Sequence, residues 1–316
     1  MIFSATATTV GAVACSHGWD SYDPRLGTAS ASTSGGGMEQ STTASVSASS
    51  TTVAASGSTT SSTSSTSSTS STSAGSGGAG GADAGPPTYR DLILAEGPLA
   101  YWRLGDSQGP TIVDEVGQHP GGASGAGLTY GVPGLIAGNT ALSFNGSSGS
   151  IDVPGGWDFA DKTPYSFEVW AKLGPSTNDY PRILSKEQNN SPRQGYLILA
   201  GTSPDAGIPF FGSERWSENQ NILAAFYHGP VSANWTYVVA TFDGAVGTMY
   251  VNGVLADTGG TGSDAGIVAT GTSFTIGATS GKGSHFSGTL DELAVYGKPL
   301  SDAVIASHYT AGLAGL

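Results

Sequence analysis

Charge is scarce in this sequence, and the little there is leans one way. Only 11% of the 316 residues are Asp, Glu, Lys or Arg, and 24 acidic against 11 basic side chains leave a formal net charge of -13. Such a surface repels phosphate backbones, which excludes the nucleic-acid binders that work through basic patches. Cysteine is nearly absent. With Cys15 alone, no intramolecular disulfide can form. No run reaches the roughly 18 apolar residues that a membrane-spanning helix needs. Catalytic signatures are missing too. The histidines (His17, His119, His228, His285 and His308) are dispersed without an HExxH, and no GxSxG elbow occurs.

Serine, threonine and glycine are what the chain has in excess. Every residue from Thr59 to Ser73 is Ser or Thr, and the flanks from about residue 28 to 85 are nearly all Ser, Thr, Gly and Ala. Such a stretch has almost no apolar surface to bury, so nothing offsets the entropy lost on ordering it. Residues 16–86 are therefore expected to be a disordered, solvated linker. One folded domain is expected over residues 87–316.

From Thr88 the texture changes. Tyr89, Leu92 and Ile93 are spaced for a short helix that Gly97-Pro98 ends. Beyond it the period is two. "AYWRL", "ALSFN", "SIDV", "YSFEVWAKL", "RILSKE", "GYLILA", "ILAAFYH", "WTYVVATFD", "TMYVNG", "SFTIGA" and "GTLDELAVYG" read as strands separated by turns. Asp243-Gly244 and Asn252-Gly253 suit tight turns, because both pairs tolerate positive φ. Ser301 caps a terminal helix with Val304, Ile305, His308 and Tyr309 along one face. About ten short strands with almost no helix predict an all-β fold, a two-sheet antiparallel sandwich. Phe144, Phe167, Val169, Trp170, Val239, Phe242, Val251, Ile276, Leu290 and Leu293 are its expected core.

The order "AYWRLGD", "ALSFNGSSGSIDV", "YSFEVWAKL", "WTYVVATFDGAVGTMYVNGVL", "FTIGA" and "FSGTLDELAVYGKPLSDAVIASHY" resembles the laminin G-like, concanavalin A-like jelly-roll domains of secreted bacterial proteins. The likeness runs from Tyr89 to Leu313. It implies a calcium ion, Ca2+, at the rim of the sandwich, and the matching positions are Asp106 and Asp291, with Asp114 as a turn-former or third ligand. Asp291 lies among Leu290, Leu293 and Val295, where a carboxylate needs either a cation or several hydrogen bonds. Its other reading is a hydrogen-bonded strand carboxylate paired with Arg103. Glu292 follows Asp291 directly, and neighbours on a regular strand point to opposite faces, so the pair is expected to diverge.

Related glucanases set two carboxylates on one strand in an E-x-D-x-x-E pattern, so that both face one cleft. No Glu here is followed two residues later by Asp. Sugar sites also use exposed aromatic rings beside polar groups. The polar stretch from Gly201 to Asn221 offers Trp216, Glu214 and Asn219 as ligand-binding residues on a loop, with Tyr180 and residues 187–194 nearby. The alternative folds Trp216 and Phe211 back onto the sandwich edge. At the N-terminus, residues 1–15 end in Ala14-Cys15 after small residues, and resemble a bacterial lipoprotein signal peptide with Cys15 lipidated. Ala12 and the lack of a basic start depart from that pattern, and the other reading is an unstructured start. The expected protein is a non-enzymatic, monomeric binding or adhesion module outside a bacterial cell. Its partner is a glycan or a surface protein, not nucleic acid, and it touches membrane only through a lipid anchor. The alternative is a glycan-active hydrolase of the same fold.

Overall fold

The computed structural model describes residues 86–175, 180–202, 209–218, 220–229, 234–260 and 270–316. The expected signal segment 1–15, Cys15, nearly all of the linker 16–86 and Asn219 lie outside them. Helix α1 (Tyr89–Ala95) opens the described chain and α2 (Asp302–Ala314) closes it. Between them come β1 (Ala100–Trp102), β2 (Thr111–Ile112), β3 (Gly121–Ser124), β4 (Leu128–Pro133), β5 (Thr140–Asn145), β6 (Ser150–Val153), β7 (Tyr165–Leu173) and β8 (Arg182–Gln188). Then follow β9 (Gln194–Thr202), β10 (Pro209–Ser217), β11 (Gln220–His228), β12 (Thr236–Phe242), β13 (Val246–Val251), β14 (Val254–Gly260), β15 (Phe274–Ile276) and β16 (Ser287–Tyr296).

These strands make two antiparallel sheets of eight. The first runs β14-β13-β12-β7-β16-β5-β4, with β1 also paired to β16, and the second runs β11-β10-β9-β8-β15-β6-β3-β2. The result is the expected jelly-roll sandwich. The strand "SIDV" and the strand "YSFEVWAKL" fall where the alternation places them. β10 was expected to be loop, because "PFFGSERWS" breaks its apolar rhythm with Gly212, Glu214 and Arg215. Pairing with β9 and β11 on both sides makes it a central strand nonetheless. β14 escapes detection for the opposite reason, being a Gly-ended and largely exposed edge. The β13–β14 turn has Asn252 at φ 53° and Gly253 at φ 75°, the positive pair that this tight turn requires.

Every expected core residue is buried, but in two separate places. Phe144, Phe167, Val169, Phe242, Val251, Ile276, Leu290 and Leu293 fill the space between the sheets. Trp170 and Val239 point from the first sheet the other way, into a second cluster with Tyr89, Ile93 and Ile305 of the two helices. The helices thus roof the outer face of the first sheet. Thr88 and Asp91 form a capping box on α1, and Ser301 caps α2 by accepting from the Val304 N–H at 3.4 Å. The Tyr89 N–H donates to the Leu316 carbonyl at 3.1 Å, which ties the start of this domain to its end.

Candidate functional site

The acidic pair on β16 does not diverge. Between β16 and β7 the register shifts by one residue, so that Asp291 pairs with Trp170 but Ala294 pairs with Glu168. Glu292 takes up the extra residue at φ 53°, the local kink of a bulge. The consequence is that both carboxylates meet one amide: Asn139 Nδ2 donates to Asp291 Oδ1 at 3.1 Å and to Glu292 Oε1 at 3.0 Å. Both residues are 0% exposed. Arg103 supplies the cation, reaching Glu292 Oε1 from Nη2 at 2.9 Å and from Nε at 3.1 Å. The Tyr101 hydroxyl donates to Glu292 Oε2, and the Leu135 N–H to Asp291 Oδ2 at 2.8 Å. Sequence alternation allows Arg103 one acidic partner, Asp291; the bulge makes Glu292 that partner instead. Burial, then the Glu292 charge, pushes the Asp291 carboxyl well above its ordinary value. Burial also raises Glu292, against the bonds from Arg103 and Tyr101.

The residues matched to calcium are engaged otherwise. Asp106 accepts from the Val113 N–H at 3.1 Å, and no described contact joins it to Asp291. Asp114 accepts four backbone N–H groups, from Tyr101 at 2.8 Å, Val116 at 3.1 Å, Gln118 at 2.9 Å and His119 at 2.8 Å. Calcium wants six to eight oxygens turned toward one point. The oxygens of Asp114, Asp291 and Glu292 are turned toward N–H and O–H donors. Among the described residues Asp106 and Asp291 are therefore not brought to one point, and the Asp291 oxygens are engaged by Asn139 and Leu135.

A second constellation lies on the outer face of the second sheet. Side chains alternate along β10, so Phe211 enters the core between the sheets while Phe210, Gly212, Glu214 and Trp216 face outward. Trp216 Nε1 donates to Glu214 Oε2 at 2.8 Å, and the Arg193 guanidinium lies over the Trp216 ring, 3.8 Å from its centre. Arg193 Nη2 also bridges Glu187 Oε2 at 3.2 Å and Glu214 Oε2 at 3.5 Å. Arg182 Nε closes the group on Glu187 Oε1 at 2.9 Å. Burial raises the Glu214 carboxyl, and Arg193 opposes it. Trp216 and Glu214, offered as loop residues, are therefore strand residues in a buried ionic strip, and Trp216 and Phe211 are buried as the alternative reading has them. The indole is 8% exposed because the strip and Arg193 cover it.

Along the same face the strip runs into a group of rings. Tyr180 meets Phe210 edge-on at 6.4 Å, Phe210 lies 6.2 Å from His228, and His228 stacks on Phe226 at 5.9 Å and 27°. Gly212 makes room for this, since a Cβ there would stand 2.5 Å from the Phe226 ring. His228 is exposed and Phe226 and Tyr180 are half-buried. The sequence placed Tyr180 and residues 187–194 near Trp216 but missed Phe226 and His228. Reading β10 and β11 as one hairpin would have set Gly212 opposite Phe226 and Phe210 opposite His228, as the register does.

Two antiparallel sheets packed face to face, with one outer face roofed by helices and the other carrying an ionic and aromatic strip, define a jelly-roll domain. The chain belongs to the concanavalin A-like lectin/glucanases superfamily, whose family model matches residues 145–306, just over half of it. No curated protein matches the chain in sequence. Among solved structures it is similar to the botulinum neurotoxin serotype C1 binding domain, with a TM-score of 0.52 at 15% identity over 70% of this chain and 53% of that one. The serotype D binding domain is similar to the same degree, with a TM-score of 0.52 at 13% identity over 69% of this chain and 52% of the other. The chain thus spans about half the length of these toxin domains. It is also similar to domain 4 of AbnA, a GH43 extracellular arabinanase from Geobacillus stearothermophilus solved with arabinotriose, with a TM-score of 0.48 at 19% identity over 67% of this chain and 98% of that one. Identities this low speak for the fold alone. No helix among the described residues is long and apolar enough to cross a membrane.

Proposed function

We propose that this chain is a non-enzymatic extracellular binding module that takes a glycan or a protein surface on the outer face of its second sheet. The observation that carries the reading is the run of rings from Tyr180 to Phe226 and His228, partly open to solvent and continuous with Arg193, Trp216 and Glu214. Ring faces pack against the C–H faces of sugars, and His228, exposed at the end of the run, offers a polar edge to a hydroxyl. Screening the full chain on a glycan array and against soluble polysaccharides tests this. We expect His228→Ala and Phe226→Ala each to weaken binding by about tenfold, ~1.4 kcal/mol. Variants that bind as the wild type does would move the site elsewhere.

Glycan hydrolysis is the second reading, and one observation favours it. Glu187 and Glu214 come from β8 and β10 yet share Arg193 Nη2, a pairing across strands that no search for carboxylates along one strand detects. Against it, both carboxylates are buried and held by arginine and indole donors, which leaves neither placed to reach a glycosidic bond. Release of reducing sugar that disappears in Glu214→Gln would favour the hydrolase.

The proposed location is the outside of a bacterial cell, with Cys15 as the lipid anchor and the Ser/Thr-rich stretch giving reach. Support comes from the resemblance of residues 1–15 to a lipoprotein signal. Cys15→Ser is expected to move the protein from the membrane fraction to the soluble one on fractionation. Unchanged partitioning would remove the anchor, because a lipid chain is what holds such a protein to a bilayer.

A further inference from the structure

We infer that the rim joining β1 to β16 is a metal-free staple, in which the Arg103 guanidinium does the work that a divalent cation does in a calcium-locked domain. Three segments distant in sequence converge there. β1 and the residue after it bring Tyr101 and Arg103, the loop before β5 brings the Leu135 N–H and Asn139, and the bulge of β16 brings Asp291 and Glu292. Two carboxylates packed together at zero exposure repel each other and lose hydration. A cation or a set of donors has to answer both costs.

The donors are all protein groups. Each oxygen of Asp291 accepts one hydrogen bond, from Asn139 or from Leu135. Glu292 Oε1 accepts from Arg103 and Asn139, and Oε2 from Tyr101 and Arg103. Asn139 Nδ2 is also within 3.3 Å of the Arg103 carbonyl, so the amide ties the end of β1 to both acids at once. The backbone closes the remaining side, since a Cβ on Gly134 would stand 2.8 Å from Asp291 Oδ2. A calcium ion entering here would have to displace Arg103, the Asn139 amide and the Leu135 N–H together, and the acids would exchange a fixed fork for a hydrated ion. The bulge is what makes the arrangement self-sufficient. On a regular strand the two acids would face apart, whereas the extra residue turns Glu292 to the side where Asp291 already lies, with Arg103 bonded to Glu292 and Asn139 shared by both.

Thermal melting of the full chain in EGTA and in 5 mM CaCl2, followed by near-UV circular dichroism, tests this, with Arg103→Ala and Arg103→Lys melted alongside. The wild-type Tm is expected to be the same in both buffers. Arg103→Ala is expected to lower Tm by at least about 4 °C, and Arg103→Lys to restore only part of the loss, because an ammonium keeps the charge but not the two-pronged geometry. A wild-type Tm that rises with calcium overturns the inference. So does an Arg103→Ala variant that melts with the wild type. Should Arg103→Ala fail to fold, a calcium titration of the wild type by isothermal calorimetry decides the matter, and heat of binding at the rim, lost in Asp291→Asn, would refute it.

Discussion

Replacing Glu168 by Ala is expected to cost about 3–5 kcal/mol of stability, measured by urea denaturation, the range for removing one member of a buried charged pair. Glu168 is on β7 at 0% exposure, under the roof made by the two helices. It accepts from the hydroxyls of Tyr237 on β12 and Tyr296 on β16, and its Oε2 lies 3.0 Å from His308 Nδ1 on α2. Alanine strands two buried hydroxyls and one imidazole at a stroke. Burial by itself would lower the His308 pKa, but the Glu168 hydrogen bond and charge, with a smaller push from Glu96 and the Leu92 backbone, hold it above its ordinary value. The ring also meets Tyr89 edge-on at 6.4 Å.

A raised folded pKa means that the native state keeps a proton which the unfolded chain releases sooner. The stabilisation from His308 is therefore complete below about pH 6.5 and is lost as pH rises through the raised value, with a slope of up to about 1.4 kcal/mol per pH unit. His308→Gln should flatten that part of the stability profile. A profile that is flat above pH 6.5 in the wild type would show that the imidazole is neutral in the fold.

Trp170→Ala is expected to cost about 3–5 kcal/mol as well, as truncations of buried Trp and Phe do. The indole stands two residues beyond Glu168 on the same face of β7 and carries α2. Its ring stacks near Tyr309 at 5.8 Å and lies 4.9 Å from Tyr237, while Nε1 donates to the Tyr89 hydroxyl at 3.0 Å. Gly312 of α2 fits so closely that a Cβ there would stand 2.4 Å from the indole. Because Glu168 and Trp170 hold the same helix, the double variant should lose less than the sum of the two single losses. Full additivity would mean that the two anchor α2 independently.

Glu168 shows where sequence patterning stops, whereas Trp170 was legible as core. In "YSFEVWAKL" the alternation marks one face as core, and it does mark Phe167 and Val169 correctly. Glu168 on the other face reads as solvated, because nothing in nine residues reveals that two helices from opposite ends of the domain come to lie over it. The Asn252-Gly253 turn and the Ser301 cap were legible because each depends on the backbone preferences of residues next to one another. β10 was not, because its polar outer face is stabilised by Arg182 and Arg193 from other segments.

The all-β class, the period of its main strands, the terminal helix and nearly all of the core follow from local spacing, since apolar alternation and turn chemistry act over a few residues. The family resemblance rests on that same order. What only the tertiary structure decided is how the charges are matched. One extra residue in β16 turned Glu292 toward Asp291 and made Arg103 its partner. The hairpin of β10 and β11 set Phe226 and His228 beside the ionic strip. Buried charges and stacked rings find partners in space, across tens to hundreds of residues of chain, and no short-range pattern in the sequence carries that information.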